Sequence, residues 1–261
     1  MKTILLTGSE GYVATNFYNT YKNQFNFIKV DRKKSFEVLE FQDFDKVDYI
    51  IHLAAISGIA NCELDRKQTI YDNVTSTLHL IRKSKEYNIP MVFASSQGAK
   101  EPDNLYSITK KICEIESILY NNEYDTDIKI LRFANIYGGI GYLETKTSVV
   151  SKFINATKNN QSLIIDGDGN QIRDFIHVDD ICTCIYKSLD IKIPFPIDVG
   201  TGYGTSVSLL ANMMNNDKII YNKKRKSGTE SNIADTADIR RLLGFKPKNN
   251  KLEKYIKEQL S

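Results

Sequence analysis

The sequence has no tryptophan, five prolines, four cysteines and no long apolar run among its 261 residues. Cys62, Cys113, Cys182 and Cys184 lack the paired spacing of a zinc site, so we expect no metal site and reduced, mostly buried thiols. The opening run Met1–Thr7 is too short for a signal peptide or a membrane span. These absences predict a cytoplasmic protein that does not associate with membranes.

A surplus of charge of one sign is absent as well. The chain has 35 lysines and arginines against 32 aspartates and glutamates, a formal net charge of +3. The dense basic run Lys223–Lys226 is interpreted as a solvated loop, and no nucleic acid is expected as a partner. Apolar residues make up 41% of the chain, which excludes disordered and fibrous classes and suits one α/β domain with a small second lobe.

Short apolar runs alternate with helical stretches in the first half of the chain. Strands are predicted at Thr3–Thr7, Phe25–Val30, Tyr49–Leu53, Met91–Ser95 and Ile128–Phe133, and helices at Tyr12–Tyr21, Gln68–Tyr87 and Tyr106–Tyr120. This alternation predicts an α/β fold with a parallel sheet covered on both faces. Beyond residue 147 the pattern is less regular. It predicts helices at Ser148–Asn159, Val178–Ser188, Val207–Met214, Ile239–Leu243 and Leu252–Gln259, and strands at Ser162–Ile165 and Pro196–Val199.

The first predicted strand runs directly into the segment Gly8-Ser9-Glu10-Gly11-Tyr12-Val13-Ala14, and a helix follows. Glycines allow a sharp turn and a close approach of backbone to a pyrophosphate, which the free N–H groups of the helix then bind. Asp31 ends the second strand, where a carboxylate can accept hydrogen bonds from ribose hydroxyls. The competing interpretation is a plain strand–turn–helix connection. Asp31 favours NAD, whereas Arg32 beside it leaves NADP possible.

Tyr106 and Lys110 are four residues apart on a predicted helix, so their side chains lie on one face. A phenol has a pKa of about 10, and a nearby ammonium group and a positive nicotinamide ring are expected to lower it. Such a tyrosine can take a proton from a sugar hydroxyl as hydride leaves the same carbon. Ser96, at the end of the fourth strand, can hydrogen-bond the same hydroxyl. Tyr-x-x-x-Lys alone is common in helices, so the order of the motifs carries the argument.

At this point the sequence resembles the extended short-chain dehydrogenase/reductases, the nucleotide-sugar epimerase/dehydratase family, along nearly its whole length. The ordered matches are Thr7-Gly8-x-x-Gly11-Tyr12, Asp31, His52-Leu53-Ala54-Ala55, Asp72-Asn73-Val74, Ser95-Ser96, Tyr106-x-x-x-Lys110, Leu131–Gly138, Gly167-Asp168-Gly169, Arg173–Asp180 and Val199–Gly202.

The resemblance implies a Rossmann-type doubly wound parallel sheet with a smaller C-terminal substrate-binding lobe. Residues 1–135 would form the NAD(P)-binding domain, with 174–200 returning to it, and residues 136–261 mainly the substrate-binding lobe. It implies that Ser96, Tyr106 and Lys110 are catalytic, and that Asn135 and Arg173 bind a nucleotide-diphosphate sugar. The implied cofactor-binding residues are Gly8, Gly11, Tyr12, Val13, Asp31, Arg32, Leu53, Ala54, Ala55, Tyr106 and Lys110. The family also implies a homodimer through helices 68–87 and 106–120.

Departures from the family's motifs limit which of its reactions this protein is expected to catalyse. The dehydratases use an Asp-Glu pair after the strand-end hydroxyl, and here those positions hold Gln97 and Gly98, which cannot supply an acid and a base. The segment between Ser96 and Tyr106 is shorter than usual, so we expect a more open site near the sugar. Two redox readings remain: an NAD-dependent 4-epimerase, which Asp31 favours, and an NAD(P)H-dependent 4-keto-sugar reductase. A non-catalytic Rossmann regulator is disfavoured because the catalytic trio is retained.

Overall fold

The computed structural model describes residues 1–34, 37–145, 147–222, 230–247 and 251–261. Within them the strands are β1 (Thr3–Thr7), β2 (Asn26–Val30), β3 (Tyr49–His52), β4 (Met91–Ser96), β5 (Ile128–Phe133), β6 (Asn135–Tyr137), β7 (Leu163–Asp166), β8 (Ile172–His177), β9 (Ile197–Val199), β10 (Gly204–Ser206), β11 (Ile219–Asn222) and β12 (Ser231–Asn232). The helices are α1 (Tyr12–Tyr21), α2 (Ile59–Leu64), α3 (Arg66–Ile70), α4 (Ser76–Tyr87), α5 (Leu105–Tyr124), α6 (Val149–Lys158), α7 (Val178–Ser188), α8 (Val207–Asn212), α9 (Ala237–Leu243) and α10 (Lys251–Leu260).

A parallel sheet with the strand order β2-β1-β3-β4-β5-β9 lies at the centre of the fold. Successive strand residues pack into different cores: Ile4 and Leu6 belong to one apolar cluster, and Leu5 belongs to the other. Burial on both faces explains why these strands read as unbroken apolar runs. The predicted doubly wound parallel sheet is confirmed. The strand order reverses beside β1, and such a reversal opens a crevice at the carboxyl ends of the strands.

The five strands predicted in the first half are confirmed to within one residue at either end. The helix predicted at Gln68–Tyr87 is composite, because α3 continues through the π-helical turn Tyr71–Thr75 into α4. The short stretch between β2 and β3 contains the 3-10 turns Arg32–Lys34, Val38–Glu40 and Phe44–Lys46 in its described part. Helix α2 was not predicted from the sequence. All four cysteines are buried and free, as predicted.

The second half of the chain adds short strands beside the main sheet. β8 pairs with β6, β10 and β12, and β7 pairs with β11. A separate apolar cluster, which includes Tyr137, Phe153 and Leu210, fills this lobe. The chain then returns to the main sheet, since β9 pairs with β5. The domain division at residue 135 stays a prediction. Of the helices in the described ranges, none is long and apolar enough to cross a membrane. The basic run Lys223–Lys226 lies outside the described residues.

Asp174 joins the two parts of the fold. This buried residue of β8 accepts hydrogen bonds from the backbone N–H groups of Thr201 (3.0 Å), Gly202 (2.8 Å) and Ala234 (3.3 Å). It also accepts one from the Thr201 hydroxyl. A buried carboxylate needs such donors, because an ionised group without partners is costly to desolvate. The turn that follows β9 is therefore fixed against β8.

We expect Asp174→Asn to destabilise the protein by about 2 kcal/mol. The NH₂ group that replaces one carboxylate oxygen would face N–H donors, whereas the oxygen accepted hydrogen bonds from them. Urea unfolding followed by circular dichroism measures the change. Asp43→Asn is the matched control: Asp43 forms an exposed ion pair with Lys46, and its loss should leave the unfolding midpoint nearly unchanged. Equal midpoints for the two variants would contradict this role of Asp174.

Candidate active site

A groove with a volume of about 1300 Å³ runs along the carboxyl ends of the central strands and onto the smaller lobe. It brings together most of the residues that the sequence singled out: Gly8, Gly11, Tyr12, Val13, Leu53, Ala55, Ser96, Tyr106, Lys110, Asn135 and Arg173. Asp31, Arg32 and Ala54 are not among its lining residues. The topology explains the gathering, because the carboxyl ends of parallel strands meet at one edge of a sheet.

The turn between β1 and α1 requires its glycines. Gly8 has a φ of +66°, and a Cβ atom there would lie 2.7 Å from the Cα atom of Ala54. A Cβ atom on Gly11 would lie 2.9 Å from the carbonyl oxygen of Gly8. The first turn of α1 carries no acidic residue, so its N–H groups can receive an anion. These residues fit the pyrophosphate of a dinucleotide.

Asp31 lies beside this turn although it does not line the groove. Its carboxylate accepts hydrogen bonds from the backbone N–H groups of Glu10 (2.9 Å) and Lys33 (2.8 Å). Arg32 forms an ion pair with Asp72, which lies in the π-helical turn that precedes α4. The assignment of Asp31 and Arg32 to cofactor binding stays a prediction.

The loop after β3 forms the facing wall and is fixed by Asn73. The Asn73 side chain accepts a hydrogen bond from the N–H of Ile56 (2.7 Å) and donates one to its carbonyl (3.0 Å). His52 is hydrogen-bonded to Thr7 and Thr77 on its two ring nitrogens. Burial lowers the pKa of His52 to about 3, so the ring is neutral and serves the structure.

Tyr106 and Lys110 lie on one face of α5, close to its N-terminus. The helix begins with Asn104, whose side chain accepts from the N–H of Ser107 (3.0 Å) in a capping box. Lys110 is buried, and its Nζ donates to the carbonyl oxygen of Ala94 (2.7 Å). The same atom lies 5.9 Å from the centre of the Tyr106 ring. The chain therefore places the ammonium group near the phenol without a direct bond between them.

The electrostatics of this pair differ from the expectation. Burial raises the pKa of Tyr106 to about 12, and the Cys62 thiol adds to the rise. Burial also lowers the pKa of Lys110 to about 8. In the protein alone, desolvation of the phenolate outweighs the attraction of an ammonium group that makes no hydrogen bond to it. The predicted lowering also requires a positive nicotinamide ring, so it stays a prediction for the protein with NAD bound.

Ser96 ends β4, and its hydroxyl accepts a hydrogen bond from the N–H of Gly98 (3.3 Å) in the 3-10 turn Gln97–Ala99. Gln97 is buried and donates to the carbonyl of Arg132 (3.3 Å). Lys100 forms an ion pair of 2.6 Å with Asp198 on β9. These bonds fold the short segment between Ser96 and Tyr106 against the sheet. Gln97 and Gly98 have structural roles here and supply no acid or base.

The groove continues into the smaller lobe past Asn135 and Arg173. The Asn135 amide donates to the carbonyl of Asp174 (3.1 Å), and an Arg173 Nη atom donates to the carbonyl of Ile172 (2.7 Å). Ser148 and Val149 line the wall beyond them and belong to the segment Gly139–Val150, where substrate specificity is expected. The rest of this wall was missed by the sequence analysis and comprises Lys152, Ile164, Asp166, Gln171, Val207 and Asn222. A signal was present in β7, where Leu163 and Ile165 are buried and Ile164 and Asp166 point outward.

Comparison with known proteins places these features in one family. The model of the NAD-dependent epimerase/dehydratase family matches residues 4–194. A relative described as a putative UDP-glucose 4-epimerase, from Methanocaldococcus jannaschii, is 30% identical over 94% of this chain and 93% of its own length.

Solved structures share the fold at lower identity. One is a UDP-N-acetylglucosamine 4-epimerase from Methanobrevibacter ruminantium M1 in complex with UDP-N-acetylmuramic acid, with a TM-score of 0.88 and 22% identity over 99% of this chain and 97% of that chain. Another is a UDP-glucuronic acid 4-epimerase from Bacillus cereus in complex with UDP-glucuronic acid and NAD, with a TM-score of 0.87 and 18% identity over 99% and 98%. The family match covers well over half of the sequence, and the chain therefore belongs to the NAD-dependent epimerase/dehydratase family.

Proposed function

We propose that the protein is an NAD-dependent nucleotide-sugar 4-epimerase that works through a transient 4-keto sugar, with Tyr106 as its acid and base. One observation carries the proposal: a single groove contains the glycine turn, Ser96, Tyr106 and Lys110, and continues past Asn135 and Arg173. A dinucleotide and a nucleotide sugar can therefore meet beside Tyr106. The relatives described above, which act on UDP-sugars by name, support this reaction class.

The proposed binding roles follow from the groove. The backbone of Gly8 and Gly11 and the N-terminus of α1 would hold the pyrophosphate of NAD, and Asp31 would bind the adenosine ribose. When bound, NAD would supply the hydride acceptor and a positive charge. Arg173 would bind the sugar-linked diphosphate, since a guanidinium group is suited to bidentate phosphate contacts, and Asn135 would assist it.

The proton chemistry belongs to the chain. Tyr106 would take the proton of the sugar 4-hydroxyl while Ser96 holds the same oxygen by a hydrogen bond, and it would return the proton after the keto sugar has turned over. Burial keeps the Tyr106 phenol protonated by itself, so positive charge must lie close when the proton is transferred. Lys110 lines the groove, is buried and lies one helical turn from Tyr106, so it can supply this positive charge.

Incubation with a panel of UDP-, dTDP-, GDP- and CDP-sugars, with and without NADPH and followed by NMR, tests the function. We expect a pair of C4 epimers to interconvert without net consumption of cofactor, because the hydride is returned to the sugar. Stoichiometric oxidation of NADPH would identify a 4-keto-sugar reductase instead. Loss of water to give a 4-keto-6-deoxy sugar would contradict the structural roles of Gln97 and Gly98.

Tyr106→Phe should lower kcat by about 10²- to 10⁴-fold, the usual contribution of a general acid–base group, because the ring remains but its proton carrier is lost. NAD binding, followed by fluorescence titration, should be retained. Tyr124→Phe, which changes an exposed ring at the far end of the same helix, is the matched control and should keep its activity. A fully active Tyr106→Phe enzyme would remove the proposed mechanism.

We further propose that the protein forms a homodimer through α5 and the composite helix α3–α4. The support is a stripe of exposed apolar side chains on α5, formed by Ile108 (43% exposed), Ile112 (43%), Ile115 (50%) and Leu119 (44%). Their spacing of four, three and four residues places them on one face of the helix. Ile70 and Tyr71 add exposed apolar surface on the neighbouring helix. A continuous apolar face of this kind is typical of a helix–helix interface between subunits.

Ile112→Glu should convert the dimer into a monomer, because a carboxylate in the middle of the apolar face would be desolvated without a partner. Light scattering at micromolar concentrations measures the mass. Leu209→Glu, a change at an exposed leucine on α8, serves as the control and should leave the mass unchanged. A monomeric wild-type protein would overturn the proposed dimer.

A further inference from the structure

Glu114 lies one helical turn beyond Lys110 on α5, on the same side of the helix as Tyr106 and Lys110. The three residues are spaced by four along α5, so they share one face of the helix, and that face lies against β4 and β5. Glu114 is completely buried. A buried carboxylate requires strong partners, and neither the mechanism nor the binding roles described above use this residue.

The hydrogen-bond partners of Glu114 come from the two strands beneath it, and Nζ of Lys111 on its own helix lies 3.9 Å from Oε2. Its Oε1 accepts hydrogen bonds from the Ser95 hydroxyl (2.6 Å) and from Nε of Arg132 (2.8 Å). Its Oε2 accepts from an Nη atom of Arg132 (2.6 Å). The guanidinium and the carboxylate thus form a two-point contact, which fixes their relative orientation as well as their distance. Ser95 and Arg132 are register partners on β4 and β5.

This contact lies next to the proposed catalytic groups. Ser95 directly precedes Ser96, and Glu114 lies one turn beyond Lys110 on α5. Ser96 and Tyr106 are only ten residues apart, and the short segment between them is held to the main sheet through Gln97 and Lys100. Apolar packing of α5 on the sheet and polar bonds from the helix to the strands together set its position relative to Ser96. Among the described residues, Glu114 makes three such bonds, Asn121 makes two with Ile128, and Lys110 makes one with Ala94.

We propose that Glu114 is a positioning residue: it locks α5 onto β4 and β5 so that Tyr106 and Lys110 face Ser96. The proposal rests on the proposed roles of those three residues. Glu114 acts through the backbone of α5 and through its charge, and it does not touch the substrate. Arg132 and Ser95 are its counterparts on the strands.

The charge of Glu114 also reaches Lys110. The groups that raise the pKa of Lys110 are, in decreasing order of effect, Cys113 on its own helix, Cys62 on α2 and Glu114. His52 on β3 and the Tyr106 phenol are neutral neighbours at physiological pH. Burial works against these groups and brings the pKa to about 8. Without the charge of Glu114, the pKa of Lys110 falls further, and the ammonium group is lost at a lower pH.

The test uses Glu114→Gln in the full-length protein with NAD bound. We expect kcat to fall by about 10- to 100-fold, the effect of misplacing reacting groups by about 1 Å, while KM changes by less than about twofold. The alkaline limb of the kcat profile should move to lower pH. A ¹³C NMR titration of the lysine ε-carbons reports the pKa of Lys110 independently of activity and should show the same shift.

Two further variants separate positioning from simple stability. Lys129→Met removes a buried ion pair with Asp127 (2.6 Å) near the other end of β5, and it should lower the unfolding temperature without moving the alkaline limb. Ser95→Ala keeps the charge of Glu114 but removes one bond, so it should lower kcat modestly with the limb unmoved. It remains informative if Glu114→Gln fails to fold.

The outcomes distinguish the two proposals. Wild-type kcat and an unchanged alkaline limb in Glu114→Gln would overturn the positioning role. So would a Ser95→Ala enzyme with wild-type kcat, or losses in all three variants that merely follow their losses of stability. A wild-type protein that epimerises none of the sugars would overturn the proposed function instead. The NMR shift of Lys110 would still report whether Glu114 acts on it.

Discussion

Coverage of the central sheet on both faces is the constraint from which the site follows. The strands can carry polar chemistry only where they end, because side chains within them are enclosed by apolar clusters on either side. Polar groups that remain inside must find partners, as His52 does between Thr7 and Thr77. The carboxyl edge is therefore the place where the glycine turn, Ser96 and the N-terminal part of α5 meet.

Burial at this edge acts on the two ionisable partners in opposite directions. It makes the phenolate of Tyr106 harder to form and the ammonium of Lys110 easier to lose. Neither change favours proton transfer in the protein alone. The proposed mechanism therefore needs a further positive charge to form the phenolate, and the negative charge of Glu114 favours only the ammonium form of Lys110.

The sequence predicted the main sheet well, because strands buried on both faces leave short, unbroken apolar runs that a local pattern reveals. The short strands β6, β10, β11 and β12 leave no such run, and α2 is too short to show a helical period. The residues of the groove were found from motif order, and their proposed roles stay predictions. The raised pKa of Tyr106 was not foreseen, because burial is a property of the assembled fold. The spacing of four residues between Lys110 and Glu114 could have indicated that they share a helix face. Nothing in the local sequence indicates that Ser95 and Arg132, on two different strands, bind Glu114.

The return of the chain to the main sheet has a mechanical consequence. Polypeptide crosses between the two parts of the fold after β5 and again on the way to β9, and Asp174 ties the turn after β9 to β8. Any large rotation of β8 away from the turn after β9 would break those buried bonds. The far end of the groove is therefore built on a strand and a turn that are anchored to each other, and its shape at Arg173 does not depend on packing alone.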